Sequence, residues 1–190
     1  MASRRVLVGT HLNPDGDALG SAMAVSHILD QLEVPHDVTC HHGPPTNLRF
    51  LPGIGRVKQE APREEYDLGI ILDLEAFERL GSLKNAFQEI PRLIVVDHHV
   101  PHEAPGELRI VDTSSPATAA ILCDLFFASD IQITPQIAEC LLTGIVTDTG
   151  SFRYPNTTPH SLHLAARLLE MGASPPRITE EVYMKRQEAA

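Results

Sequence analysis

Cysteine is scarce in this chain. There are three, Cys40, Cys123 and Cys140, odd in number, far apart and outside any Cys-x-x-Cys spacing. That pattern excludes a disulfide framework and a thiolate zinc site, and leaves three reduced, mostly buried thiols as the expectation. Long apolar runs are missing too, so no segment has the length that a membrane span needs. The opening Met-Ala-Ser-Arg-Arg-Val-Leu-Val passes straight into a strand-like pattern. With no secretory core or cleavage site after it, a cytoplasmic location is expected. Repeats and low-complexity tracts are absent. Positive charge is in deficit: 15 Lys and Arg stand against 25 Asp and Glu, a formal net charge of −10. Such a surface is unsuited to gripping long duplex nucleic acid, which needs a basic face. Short nucleotides are not excluded, because bound divalent cations reverse the field at a site.

The rest is ordinary globular composition, 43% hydrophobic and 21% charged in 190 residues, enough for one domain, or one and a small appendage. The first two thirds alternate strand-like and helix-like segments. Residues 6–10, 37–40, 68–72, 93–96 and 109–111 read as strands, the compact β-branched runs among them as buried parallel ones. Val25, Ile28, Leu29 and Leu32 recur at helical spacing, predicting a helix over 20–33 that Pro35 stops, and 83–89 reads as a short helix. The last third turns helical. Ser115-Pro116, Thr134-Pro135 and Thr158-Pro159 are each a cap residue followed by proline at the first helical position. Ala119, Leu122, Cys123 and Phe126 are expected on one buried face, as are Leu162, Ala165, Ala166 and Leu169, with Gly172 as the stop. The expected fold is α/β: a mainly parallel, doubly wound, Rossmann-like sheet flanked by helices, with a helical C-terminal third. Residues 175–190 read as a further helix without a cap, either the start of a linker or a frayed end.

Three apolar strands share one property: each runs into acids or histidine. Val6–Thr10 leads into His11-Leu12-Asn13-Pro14-Asp15-Gly16-Asp17, Ile70-Ile71-Leu72 into Asp73, and Leu93-Ile94-Val95-Val96 into Asp97-His98-His99. In open α/β sheets the ligand crevice lies beyond the carboxyl ends of the strands, so these groups should converge. Thr147-Asp148-Thr149-Gly150, after the apolar helix 137–146, joins them. His11, Asp15, Asp17, Asp73, His98 and Asp148 are then four carboxylates and two imidazoles with no lysine among them. Four such negative charges repel unless something compensates, and two divalent cations would do so. Oxygen ligands with imidazole favour Mn²⁺, with Mg²⁺ second, over structural zinc. A two-metal site of this kind hydrolyses phosphate esters. Asp73, alone at its strand end, is the candidate bridge between the ions. His99 is left to meet the substrate as hydrogen-bond or proton donor, and Asp97 to orient a histidine.

Each group has a plainer reading by itself: a turn for Asp15-Gly16-Asp17, a helix cap for Asp73, a surface pair for His98 and His99. Their joint occurrence at four element ends favours the site. Ser21 near a helix N-terminus, Arg79, His102 and Arg153 are weaker candidates for contacting a phosphate. His41-His42 has no supporting acid and reads as a solvated loop. His160 and His163 are expected to be exposed helix residues without a neighbouring carboxylate.

These motifs resemble the DHH phosphoesterase family across nearly the whole chain. They are His11-x-Asn13-Pro14-Asp15-Gly16-Asp17-Ala18-Leu19-Gly20-Ser21, then Asp73, then the Asp97-His98-His99 triplet, then Asp148-Thr149-Gly150-x-Phe152. The resemblance implies a Mn²⁺ pair, one ion held by His11, Asp15 and Asp73, the other by Asp17, Asp73, His98 and Asp148. The first motif and residues 147–156 look most like the bifunctional oligoribonuclease and pAp phosphatase branch. The implied function is nanoRNA exonuclease and 3′-phosphatase activity, with short oligonucleotides or nucleotide phosphates as partners, no membrane, and room for a homodimer. Inorganic pyrophosphatase and cyclic dinucleotide phosphodiesterase are the alternatives. Gly16 and Ala18 rank pyrophosphatase lower, since that branch is more polar there. Nothing in residues 151–190 matches the glycine-rich, histidine-containing motif of the branch's second domain. The expectation is therefore a catalytic domain over 1–174 with the substrate-binding domain absent. A module that binds metal with little turnover is the reading from another class.

Overall fold

A computed structural model describes residues 5–100 and 106–184. Five strands, β1 (Val6–Thr10), β2 (His36–Thr39), β3 (Leu68–Leu72), β4 (Leu93–Asp97) and β5 (Leu108–Val111), form one sheet in the order β2-β1-β3-β4-β5. Every neighbouring pair is parallel. The expected doubly wound α/β sheet is present, and each sequence-expected strand is found within a residue or two.

Alternating side chains divide the core. Val6, Val8, Leu72 and Val96 face the larger layer, built by α1 (Gly16–Gln31), α3 (Thr118–Phe127), α4 (Pro135–Asp148) and α5 (Pro159–Glu170). Leu7, Ile71 and Val95 face the other way, against Leu80, Leu83 and Phe87 around the short helix α2 (Lys84–Gln88). Burial on both faces is why these strands read as continuous apolar runs rather than as alternation.

Three expectations shift. Helix α1 begins at Gly16, four residues before the expected start, and ends at Gln31, leaving Leu32 57% exposed at its C-cap. The sequence stripe missed the first turn because α4 covers that face as well. A Cβ on Gly20 would meet Cys140 O at 2.4 Å, and one on Gly144 would meet Asp17 Oδ1 at 2.6 Å, so these glycines permit the close crossing of α1 and α4. Helix α3 begins at Thr118, not at Pro116. On α5 the buried residues are Ser161, Leu164, Ala165 and Leu168, while Leu162 and Leu169 are exposed. The apolar face is rotated by about one residue from the expected one, because Ser161 turns inward to complete the capping box with Thr158. The capping prolines Pro135 and Pro159 and the stop at Gly172 (φ 101°) are where sequence put them. The helix expected over 175–190 is a short α6 (Pro175–Thr179) continuing as a π-helical turn (Glu180–Met184); the rest lies outside the described residues. All three cysteines are free and buried.

Candidate metal centre

The chain runs outward from β1 to β2 and then crosses back to β3, so its topological switch point lies between β1 and β3, where such sheets bind ligands. His11 leaves β1 and Asp73 leaves β3 at this point, in register one step beyond the Thr10–Leu72 pair. Asp73 adopts φ 57°, a left-handed conformation that Asp tolerates better than most residues and that turns its carboxylate across the strand ends.

The two oxygens of Asp73 face different partners. Oδ2 lies 3.4 Å from His11 Nε2, while Oδ1 lies 3.6 Å from His98 Nε2 and 3.5 Å from His99 Nδ1. His11 Nε2 also sits 3.8 Å from Asp15, and His98 Nε2 lies 3.2 Å from Asp148 and 3.9 Å from Asp17. Among the described residues, His11, Asp15 and Asp73 offer donor atoms within 4.8 Å of one another, and so do Asp17, His98 and Asp148, and Asp73, His98 and His99. The tertiary fold thus gathers all six residues of the sequence-derived set, with His99 beside them.

Local structure holds each group. Asp15 is the N-cap of α1, accepting from the Asp17 and Ala18 amides at 3.1 and 3.0 Å, so the plainer cap role and a place in the cluster coexist. Asp17 is fully buried and accepts from the Thr118 and Ala119 amides at 2.6 and 2.9 Å. That explains the late start of α3: its first free amides are occupied by a carboxylate from another helix. Thr118 Oγ1 donates to Asp73 Oδ1 at 3.1 Å, a contact sequence reasoning missed. A Thr-Ala-Ala helix start carries no chemical signature, and only the packing of the start of α3 against the end of β3 reveals it. Asp148 occupies the last turn of α4 rather than a loop after it.

The histidines are similarly fixed. His98 Nδ1 meets the Ser115 carbonyl at 3.3 Å; a carbonyl only accepts, so Nδ1 carries the proton and Nε2 points to the carboxylates. Asp97 Oδ1 accepts from His99 Nδ1 at 2.8 Å and from its amide at 3.1 Å, turning His99 Nε2 outward. The weaker candidates fall outside this core. Ser21 is buried behind Asp17, to which its hydroxyl donates at 3.4 Å, and so does not face a crevice. Arg79 pairs with Glu75 at 2.9 Å, and Arg153 Nε donates to Gly150 O at 2.7 Å. His102 lies outside the described residues. His42 reaches Asn13 of the first motif at 2.8 Å, closer to the site than a free loop. His160 does have a carboxylate neighbour, Asp124 of α3 at 2.9 Å.

Charge at the site is unbalanced without cations. Burial, reinforced by Asp73 and Asp148, pushes Asp17 well above the usual carboxylate range, and burial lifts Asp148 as well. Burial opposes protonation of His11 and His98, but the surrounding carboxylates outweigh it and hold each at about 9. Asp15, although burial opposes it, is lowered by His11 and the helix amides. Asp97 raises His99. Protons thus stand where positive charge is wanted. His98 Nε2 and His11 Nδ1 are buried without a hydrogen bond, and His98 Nε2 is aimed into the carboxylates. An oxygen-rich donor set with imidazoles and an orphaned buried nitrogen fits divalent cations.

Residues 5–145 match the family model described as the DHH family, N-terminal domain, and the chain belongs to that family. It is 35% identical, over 95% of its length and 54% of the relative's, to the bifunctional oligoribonuclease and PAP phosphatase of Thermus thermophilus. It is 25% identical, over 88% of its length and 55% of the relative's, to a protein of Enterococcus faecalis named "Probable manganese-dependent inorganic pyrophosphatase". A crystal structure of an exopolyphosphatase-related protein from Bacteroides fragilis superposes with a TM-score of 0.88 at 27% identity, over 96% of this chain and 57% of that one. The chain spans about half the length of the relatives it matches. Among the described residues, no helix is long and apolar enough to cross a membrane.

Proposed function

We propose that the chain is the catalytic half, residues 1–174, of a two-metal phosphoesterase that hydrolyses phosphate esters in short nucleotides. The observation that carries this reading is Asp73, whose two oxygens face two separate donor groups. His11, Asp15 and Asp73 would hold one Mn²⁺, and Asp17, Asp73, His98 and Asp148 the other. When bound, the cation pair supplies charge neutralisation, a hydroxide at neutral pH and Lewis acidity toward the phosphate.

The chain's own residues do the rest. Asp17 and Asp73, clamped by the N-terminus of α3, keep their oxygens oriented. His98 keeps Nδ1 on the Ser115 carbonyl and so presents Nε2. His99 is held by Asp97 with Nε2 outward and, being protonated more readily than a free histidine, donates Nε2–H to the leaving oxygen.

The branch named by the 35% identical relative supports nucleotide substrates, and the pyrophosphatase relative supports manganese. An assay with Mn²⁺ on adenosine 3′,5′-bisphosphate (pAp), a ribodinucleotide, a cyclic dinucleotide and pyrophosphate decides the substrate. Release of AMP from pAp and of mononucleotides from the dinucleotide is expected. Phosphate release from pyrophosphate alone overturns the reading. Two Mn²⁺ per chain with no hydrolysis of any of the four favours the metal-binding module.

Two variants probe the supporting contacts. Asp97→Asn removes the charge that raises His99, so the alkaline limb of the pH–rate profile moves to lower pH, and the His99 titration followed by NMR moves with it. Thr118→Val keeps the branched shape and the amide to Asp17 but loses the donor to Asp73. Mn²⁺ affinity measured by calorimetry falls by about tenfold, as for other contacts that orient a ligand, and Thr118→Ser restores it.

A further inference from the structure

A groove of about 840 Å³ opens beside the carboxylate cluster and shares Asp15, Gly16 and Thr147 with its edge. Its far wall is the π-helical turn at Glu180–Met184, held in place by Tyr183 Oη donating to Val146 O at 3.4 Å and Asn47 Nδ2 donating to Val182 O at 3.4 Å. Two lining side chains stand out. Tyr154 is 55% exposed, and its ring lies against Gly150, so closely that a Cβ there would come within 2.4 Å of Cζ. One side of the ring is thereby supported while the residue remains open to solvent. Arg49 is exposed and has no ion-pair partner among the described residues, whereas Arg5, Lys58, Arg79, Lys84 and Arg177 are all engaged by carboxylates.

We infer that this groove binds the nucleoside next to the phosphate handled at the carboxylate cluster, with the base stacked on Tyr154 and Arg49 supplying positive charge and donors at the rim. The inference rests on the nucleotide reading above and deepens it: part of the substrate selectivity lies in this half of the molecule. The chemistry of the walls chooses the occupant. Pro14, Pro45, Leu48 and Val182 make the lining largely apolar. Among the described lining residues, a pyrophosphate or polyphosphate would meet one side-chain cation, Arg49, and otherwise a largely apolar wall. A nucleoside brings an aromatic ring for the tyrosine and the apolar wall, and polar ring atoms and hydroxyls for Arg49. Aromatic stacking of this kind tolerates any base, as an enzyme acting on mixed short RNAs requires.

The test is calorimetric titration of the Mn²⁺-loaded chain with AMP and, separately, with inorganic phosphate. Wild type should bind AMP at least about tenfold more tightly than phosphate, since one stacked base contributes about that much or more. Tyr154→Ala and Arg49→Ala should each remove most of that preference, and Tyr154→Phe should retain it. Equal loss of AMP and phosphate binding in Tyr154→Ala, or failure of Tyr154→Phe to retain the preference, overturns the stacking role. A wild-type AMP preference that survives both alanine variants overturns the groove while leaving the nucleotide reading intact. A wild type with no preference for AMP over phosphate overturns both.

Discussion

Asp73→Asn lowers turnover by about a thousandfold while leaving the fold intact, the largest single effect expected in this chain. Asparagine is the informative substitution because it keeps the size and tolerates the left-handed backbone at φ 57°, which alanine does not. It can still accept from Thr118 Oγ1. What it loses is the charge that faces both His11 and His98. Without Mn²⁺ and above pH 9, where His11 and His98 are neutral, the variant should melt higher than wild type, since one of four crowded carboxylates is gone. With Mn²⁺ it should gain much less stability than wild type. Thermal melts with and without the metal, beside the pAp assay, separate a loss of metal bridging from a loss of folding. A variant that binds two Mn²⁺ as tightly as wild type removes Asp73 from the bridging role.

The second large effect is on stability against pH. In the metal-free chain His11 and His98 sit at about 9, above their unfolded value near 6.5. Groups raised on folding stabilise the fold fully below the unfolded pKa, and that contribution disappears as pH rises through the folded one. Asp17 and Asp148, also raised, act in the same direction at lower pH, and Asp15, lowered, acts against them in acid. Between pH 6.5 and 9 the histidines dominate. The metal-free Tm should fall across that window by roughly 5–10 °C, a few kcal/mol for a chain of this size. Mn²⁺ reverses the trend because it replaces the lost protons. At a hundredfold excess over Kd it adds about 2.7 kcal/mol, again roughly 5–10 °C, and more at pH 8.5 than at 6.5. Melting curves at four pH values with EDTA or Mn²⁺ check both halves. A metal-free Tm that is flat or rising between pH 6.5 and 9 contradicts the electrostatic picture of the cluster.

How much of this was legible in the sequence differs from residue to residue. The strands were legible because burial on both faces makes each a short run of β-branched residues bounded by turns. Their parallel pairing followed from the alternation with helices. The acids and histidines at the strand ends were legible for the same reason, since a parallel sheet lays those ends side by side. Helix ends were harder. Thr134 and Thr158 cap as expected, because an N-cap is a local bond. Ser115-Pro116 has the same local pattern but does not start α3, because Asp17, about a hundred residues earlier, supplies the acceptor two residues further on. The amphipathic stripe of α1 misled in a similar way. A helix covered by the sheet on one side and by α4 on the other buries Asp17, Ser21 and Ser26 along with its apolar residues.

Sequence alone therefore determined the sheet, its direction, and which carboxylates and histidines lie at the ends of its elements. Spacing along the chain is enough to specify those, since strand period and strand ends are local properties. Tertiary structure decided the parts that depend on contacts between distant elements. It turned the two oxygens of Asp73 toward different histidines, set the N-terminus of α3 on Asp17, placed Thr118 against Asp73, and brought the 180–184 turn opposite Tyr154 and Arg49 as walls of one groove. Those arrangements depend on how two helices cross and where a chain segment returns, and no local pattern of residues encodes a crossing.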